Sequence, residues 1–180
     1  MDSTIQALEQ RLKRMEDLEE IRRLVARYGR AVDDRDWDTL TELYAPDAVF
    51  ESAGTRSEGR DQVIEFVKMR TSVYPASYHY PHSHEIEILD DSRAEGLVCA
   101  HAELAIDGDT VVVALRYHDD YRRVDGRWCF RERVAQLLYV LKAVEYPRGL
   151  GDPVRVRWPG TEPQTAQVGA DVAPAPSTTT

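Results

Sequence analysis

Apolar residues recur at three- and four-residue spacing through Ile5, Leu8, Leu12 and Met15, and again through Leu18, Ile21, Leu24, Val25, Tyr28 and Val32. That is the period of one helix face, so the spacing predicts helix over residues 5–32. The stripe shifts between the two sets. A helical arm over 1–15 followed by a core helix accounts for the shift better than a coiled coil, which needs unbroken heptads. "DDRDWD" interrupts the pattern; Trp37, Leu40, Thr41 and Tyr44 restart a short helix that Pro46 ends. "DAVFES" reads as a brief strand. "SEGRDQVIEFVKMR" carries Val63, Ile64, Phe66 and Val67 as a third amphipathic helix after a Gly-containing turn.

Beyond residue 82 the pattern alternates, predicting strands over 82–89, 94–106, 110–123 and 127–140. "DDS", "DGD" and "VDGR" separate them, and Asp-Gly between alternating segments signals hairpins, so the strands form an antiparallel meander. Helices first and strands afterwards make the chain α+β, with N-terminal helices packed on one face of a curved antiparallel sheet. The domain is expected over 1–148. A Pro/Ala/Thr-rich tail follows over 149–180, too poor in apolar residues to offset its ordering entropy and expected to be largely disordered from about 165.

At 180 residues the chain suits a single domain, and a net charge of −9 without any basic block argues against nucleic acid as a partner. No apolar run approaches the roughly 18 residues of a membrane span, and the N-terminus lacks a signal-peptide core. A cytoplasmic protein with no membrane partner is the expectation. Cys99 and Cys129 lie far apart within apolar patterns, as small buried residues do.

The candidate chemistry gathers in "YHYPHSHEIEIL", with three histidines in six positions. Strand parity counted from residue 82 puts His82 and His84 with Ile86 and Ile88 on the apolar, helix-covered face. A His-x-His pair also begins metal sites of the cupin kind, but Ile88 and Leu89 stand where an acidic ligand belongs, so no metal is expected. Histidines merely packed at a strand entrance are the plain alternative. Tyr28 on the buried helix stripe and Asp33 at its end would add a phenol and a carboxylate to an imidazole, the parts proton abstraction needs. Five helical residues turn through about 140° relative to their start, so Asp33 leaves the stripe unless the helix unwinds after Val32. Asp33 or Asp34 could instead cap the next helix.

"EEIRRLVARYGRAVDDRDWDTLTELYAPDAVFES", "HSHEIEIL" and "RYHDDYRRVDGRWCFRER" resemble the SnoaL-like family of the nuclear transport factor 2-like superfamily over about residues 10–146. That group includes scytalone dehydratase, bile-acid 7α-dehydratase and lindane dehydrochlorinase. The resemblance implies a cone-shaped barrel whose pocket works without metal or organic cofactor. It puts the base on His82, with His84 as the alternative, the orienting carboxylate on Asp33 and the substrate-binding phenol on Tyr28. His101 and Tyr44 rank second; His118 and Asp119 read as hairpin packing. The implied activity is a dehydratase-type lyase acting on a hydrophobic cyclic substrate of polyketide or steroid kind. An isomerase, a cyclase or a non-catalytic small-molecule binder are the alternatives. The resemblance implies a homotrimer, with a dimer second, and the apolar arm, which has no evident partner, argues against a monomer. Tyr117, Tyr121, Trp128, Leu138 and Tyr139 are candidates for an outward sheet face.

Overall fold

The computed structural model describes residues 2–168. Its first helix, α1 (Asp2–Asp33), is continuous. Ile21, Leu24, Val25, Tyr28 and Val32 lie buried, whereas Ile5, Leu8, Leu12 and Met15 are 50–66 % exposed. The shift in the stripe therefore marks where α1 leaves the domain, without a break in the helix. Arg35, at φ 58°, turns the chain into α2 (Trp37–Leu43), whose first turn is capped by Asp36 accepting from Thr39 N at 3.0 Å.

The chain then passes directly into β1 (Tyr44–Ser52), and a tight turn with positive φ at Ala53 and Gly54 leads to β2 (Thr55–Glu58), a strand the pattern did not reveal. After α3 (Arg60–Thr71) come β3 (Ser77–Ile88), β4 (Arg93–Ile106), β5 (Asp109–Val124) and β6 (Arg127–Lys142). Asp107–Gly108 and Asp125–Gly126 both take positive φ at their two residues, the backbone of the primed hairpin turns that Asp-Gly favours.

One six-stranded sheet runs β2-β1-β6-β5-β4-β3. All its pairs are antiparallel except β1 with β6, which is parallel. The sheet curves without closing, giving the α+β cone. Helices α1 and α3 cover the concave side. There Val98, Val111, Leu115, Tyr117 and Phe130 form the core with the buried stripe of α1. Small residues at Ala100, Ala102 and Ala135 leave space within it.

The candidates for the outward face divide between the two sides. Tyr117 and Tyr121 point into the cone, and Trp128 lies buried with its indole N–H donating to Asp17 Oδ1 at 3.1 Å. Tyr139 does lie on the convex side, in a small cluster with Ala114 and Leu141, but Tyr146 covers it at 5.8 Å between ring centroids. The tail is ordered as far as residue 168, which includes the first four residues, 165–168, of the stretch expected to be disordered. β1 ends opposite Ala135, so the last part of β6 has an unpaired edge, and the tail takes it. Val140 N donates to Arg155 O at 2.8 Å, Arg157 N to Val140 O at 2.9 Å and Gln167 N to Leu137 O at 3.0 Å. Val156 and Ala166 are buried there. The rest of the expected disordered tail, 169–180, lies outside the described residues.

Candidate active site

Between α1, α3 and the concave face lies an apolar cavity of about 100 Å³. Tyr28, Val32, Phe66, Ala102, Leu115 and Leu137 form much of its wall, and His79 is its one histidine. His79 is placed by α1. Gly29 and Asp33 are four residues apart on that helix and so share a face. A Cβ at Gly29 would stand 3.2 Å from His79 Cβ, so the glycine lets β3 approach closely. Asp33 then meets the start of β3 rather than the sheet centre, and no unwinding is needed.

Asp33 receives the strand at three points. His79 N donates to Oδ2 at 2.8 Å, Ser77 Oγ donates to Oδ1 at 3.3 Å, and His79 Nδ1 lies 2.6 Å from Oδ1. A carboxylate can only accept, so Nδ1 carries the proton and Nε2 is left with its lone pair. Among the described residues Nε2 has no hydrogen-bond partner. An imidazole fixed in one tautomer by a carboxylate, on the wall of an apolar cavity, is equipped to accept a proton from a bound molecule.

Behind the dyad sits a buried charge pair. Arg133 and Asp119 have side chains 0 % exposed, joined by Nε to Oδ1 at 2.7 Å and Nη2 to Oδ2 at 2.6 Å. The guanidinium stands 4.3, 4.2 and 4.0 Å from the ring centroids of Tyr28, Tyr117 and Phe130. Its Nη1 has no partner among the described residues, beside a gap of about 10 Å³ that Tyr28, Gly29, His79 and Tyr117 also line. Burial pushes the Tyr28 phenol above its usual value and Arg133 pulls it back, so Tyr28 is a neutral donor next to a fixed cation.

The structure unites Asp33 and Tyr28 with His79, and not with His82. β3 begins at Ser77, and a bulge interrupts it: Pro81 faces Ala100 and Ser83 faces Cys99, leaving His82 as the extra residue. The inward set is Ser77 and His79 before the bulge, then His84, Ile86 and Ile88 after it. His82 turns to the convex side, where Nε2 meets His101 Nδ1 at 2.7 Å and His101 Nε2 meets Tyr139 OH at 2.8 Å. His101 is thus also outside the cavity. Tyr44 is buried edge-on to Tyr28 at 6.3 Å, its hydroxyl unpartnered, and does not line the cavity. His118 is exposed and bonds Gln136 Oε1 at 2.9 Å.

His84 points inward at a different place, with Nε2 2.9 Å from Tyr121 OH. Tyr121 gives its own proton to Asp119 at 2.7 Å, so His84 is the donor. Burial, with Arg133 and Arg22 adding to it against Asp119, pulls His84 down to about 4. Its usual value is near 6.5, so the unfolded chain binds the proton first as pH falls. Stability carried by neutral His84 should decline from about pH 6.5 towards pH 4 and then level off. Urea midpoints at pH 7 and 5 should therefore differ less in His84→Gln than in the wild type; an equal difference would refute this role.

The SnoaL-like domain model matches residues 13–134. A type 2 hexachlorocyclohexane dehydrochlorinase, LinA, superposes with a TM-score of 0.69 at 18 % identity, covering 83 % of this chain and 99 % of its own. The type 3 enzyme from Novosphingobium barchaimii LL02 gives 0.67 at 20 % identity, covering 73 % and 92 %. An NTF2-like protein with a cystatin-like fold from Novosphingobium aromaticivorans gives 0.62 at 25 % identity, covering 73 % and 88 %.

Proposed function

The chain belongs to the SnoaL-like family of the nuclear transport factor 2-like superfamily, and from that premise we propose that it is a cofactor-independent lyase of dehydratase type. The observation that supports this most is the 2.6 Å contact of His79 Nδ1 with Asp33 on the cavity wall. A hydrophobic cyclic substrate with an acidic C–H beside a carbonyl would lose that proton to His79 Nε2. The C–H electron pair becomes the new double bond, the neighbouring C–O bond breaks, and the departing hydroxide takes the proton back from the His79 imidazolium and leaves as water, which restores the neutral base. Asp33 stabilises the imidazolium, and Tyr28, next to Arg133, donates to the carbonyl oxygen as charge grows on it. A pure binding module has no use for an imidazole fixed by a carboxylate. The family resemblance also extends to dehydrochlorination, in which chloride would leave in place of hydroxide.

The test is a panel of cyclic β-hydroxyketones, followed by the absorbance of the conjugated enone. Wild-type turnover lost in His79→Ala supports the reading. No elimination across the panel, with wild type and variant alike, counts against it.

We also propose that the protein assembles, as a homotrimer first and a dimer second. The exposed apolar row of Ile5, Leu8, Leu12 and Met15 projects from the domain on α1, with no described residue packed over it. Light scattering at micromolar concentration should give a multiple of 20.5 kDa, and deleting residues 1–15 should lower it. A persistent monomer mass in the intact chain would rule assembly out.

A further inference from the structure

Two residues on the cavity wall play no part in proton abstraction. Arg70 comes from the last turn of α3, and Trp158 from the tail segment that pairs with the end of β6. They meet, with the Arg70 guanidinium 5.3 Å from the Trp158 ring. Arg70 has no carboxylate within 4 Å among the described residues, in a chain where 32 acidic residues outnumber 23 basic ones. Trp158 Nε1 is buried and has no hydrogen-bond partner among the described residues. Natural interiors seldom leave a buried N–H without an acceptor, and such a group calls for an explanation.

Both unmet groups are donors, and one is a cation. A neutral carbonyl could accept from either, but only an anion also answers the charge. We propose that Arg70 and Trp158 form a carboxylate subsite, so that the substrate is a small cyclic carboxylic acid with its ring in the cavity and its carboxylate on these two residues. The guanidinium fork matches a carboxylate in shape as well as charge. A phosphate ester fits less well. It would bring nearly two negative charges into a protein of net charge −9 and meet one guanidinium. The cavity, about 100 Å³, is smaller than the roughly 150 Å³ that accommodates benzene, so its apolar part takes at most about one ring and its wall gives slightly to admit it. The Trp158 ring lies against the guanidinium, and the tail closes the cavity wall with the same residue that supplies the N–H.

This assignment rests on the reading of the cavity as the place where His79 abstracts a proton, but its test needs no turnover. Benzoate and benzamide share a shape and differ in charge. Calorimetric titration should show benzoate binding about tenfold or more tightly than benzamide. It should also shift the indole N–H resonance of Trp158, identified by its disappearance in Trp158→Phe. Arg70→Gln, at a partly exposed helix end without an ion pair, should keep the wild-type circular dichroism and bring benzoate down to the level of benzamide. Benzamide binding as tightly as benzoate, a preference that survives Arg70→Gln, or no binding of either compound overturns the carboxylate subsite. If His79→Ala loses turnover while benzoate shows no preference, the subsite fails and the lyase reading stands. If benzoate is preferred but cyclic β-hydroxyketones, with or without a ring carboxylate, are not dehydrated, the lyase reading fails by itself.

Discussion

His79→Ala should lower turnover by about 10²–10⁴-fold, the range a positioned general base contributes. The His79 side chain is 17 % exposed and bonded to Asp33, so its truncation also costs about 1.5–3 kcal/mol of stability, too little to account for such a loss of turnover in a protein that stays folded. Asp33→Asn should fall in the same range for a different reason. Asp33 accepts from His79 N, from Ser77 Oγ and from His79 Nδ1, and an asparagine offers a single oxygen for them. The amide N–H₂ facing Nδ1 would favour the other tautomer, with the proton on Nε2, where a base must be free of it. His82→Ala, on the convex face, should stay within about twofold of wild type, far below a base's contribution. Matching circular dichroism, and melting points well above the assay temperature, make the comparison fair. Activity lost in His82→Ala and kept in His79→Ala would contradict the geometry.

The contrast between those two histidines shows what the sequence could and could not specify. Parity is local information, and it is right on either side of a bulge but not across one. Counting from residue 82 assigned His84, Ile86 and Ile88 to the inner face correctly and carried His82 along with them. Pro81 was the available signal, since proline within a strand belongs to an edge or a bulge, and β3 is the edge strand. Counting backward from it puts Ser77 and His79 inside. Gly29 and Asp33, four apart on α1, mark the matching helix face. The hairpins were legible because Asp-Gly acts within a few residues. The parallel pairing of β1 with β6 was not, because it joins segments about eighty residues apart and no local pattern encodes it. Composition left residues 149–164 without an assigned structure. Val156 and Trp158 pack there, and an unpaired stretch of β6 supplies the hydrogen bonds that composition cannot foresee.

Asp119→Ala should destabilise the fold by about 3–5 kcal/mol, because it leaves a guanidinium buried without a counter-charge. Sequence reading gave Asp119 a place in hairpin packing, but its side chain is 0 % exposed and holds Arg133 at two points. Tyr121 adds a third bond, and His84 stands behind Tyr121. Against a typical total of about 5–15 kcal/mol, such a loss takes a large share, and for a domain of this size it lowers the melting temperature by about 6–20 °C. Arg133→Met should also destabilise, since Asp119 would keep only the Tyr121 donor. The double variant should recover much of the loss of either single one, because no charge is then buried unpaired. Urea titrations of the three variants measure this coupling, and an Asp119→Ala protein within about 1 kcal/mol of wild type would show that the pair is not what holds this wall. The double variant also separates stability from catalysis. Arg133 lies 4.3 Å from the Tyr28 ring, so its charge acts on the phenol that the proposed mechanism assigns to the substrate oxygen. A double variant that regains its melting temperature but not its turnover would assign the Arg133 charge to the reaction; full recovery of both would confine the pair to the fold.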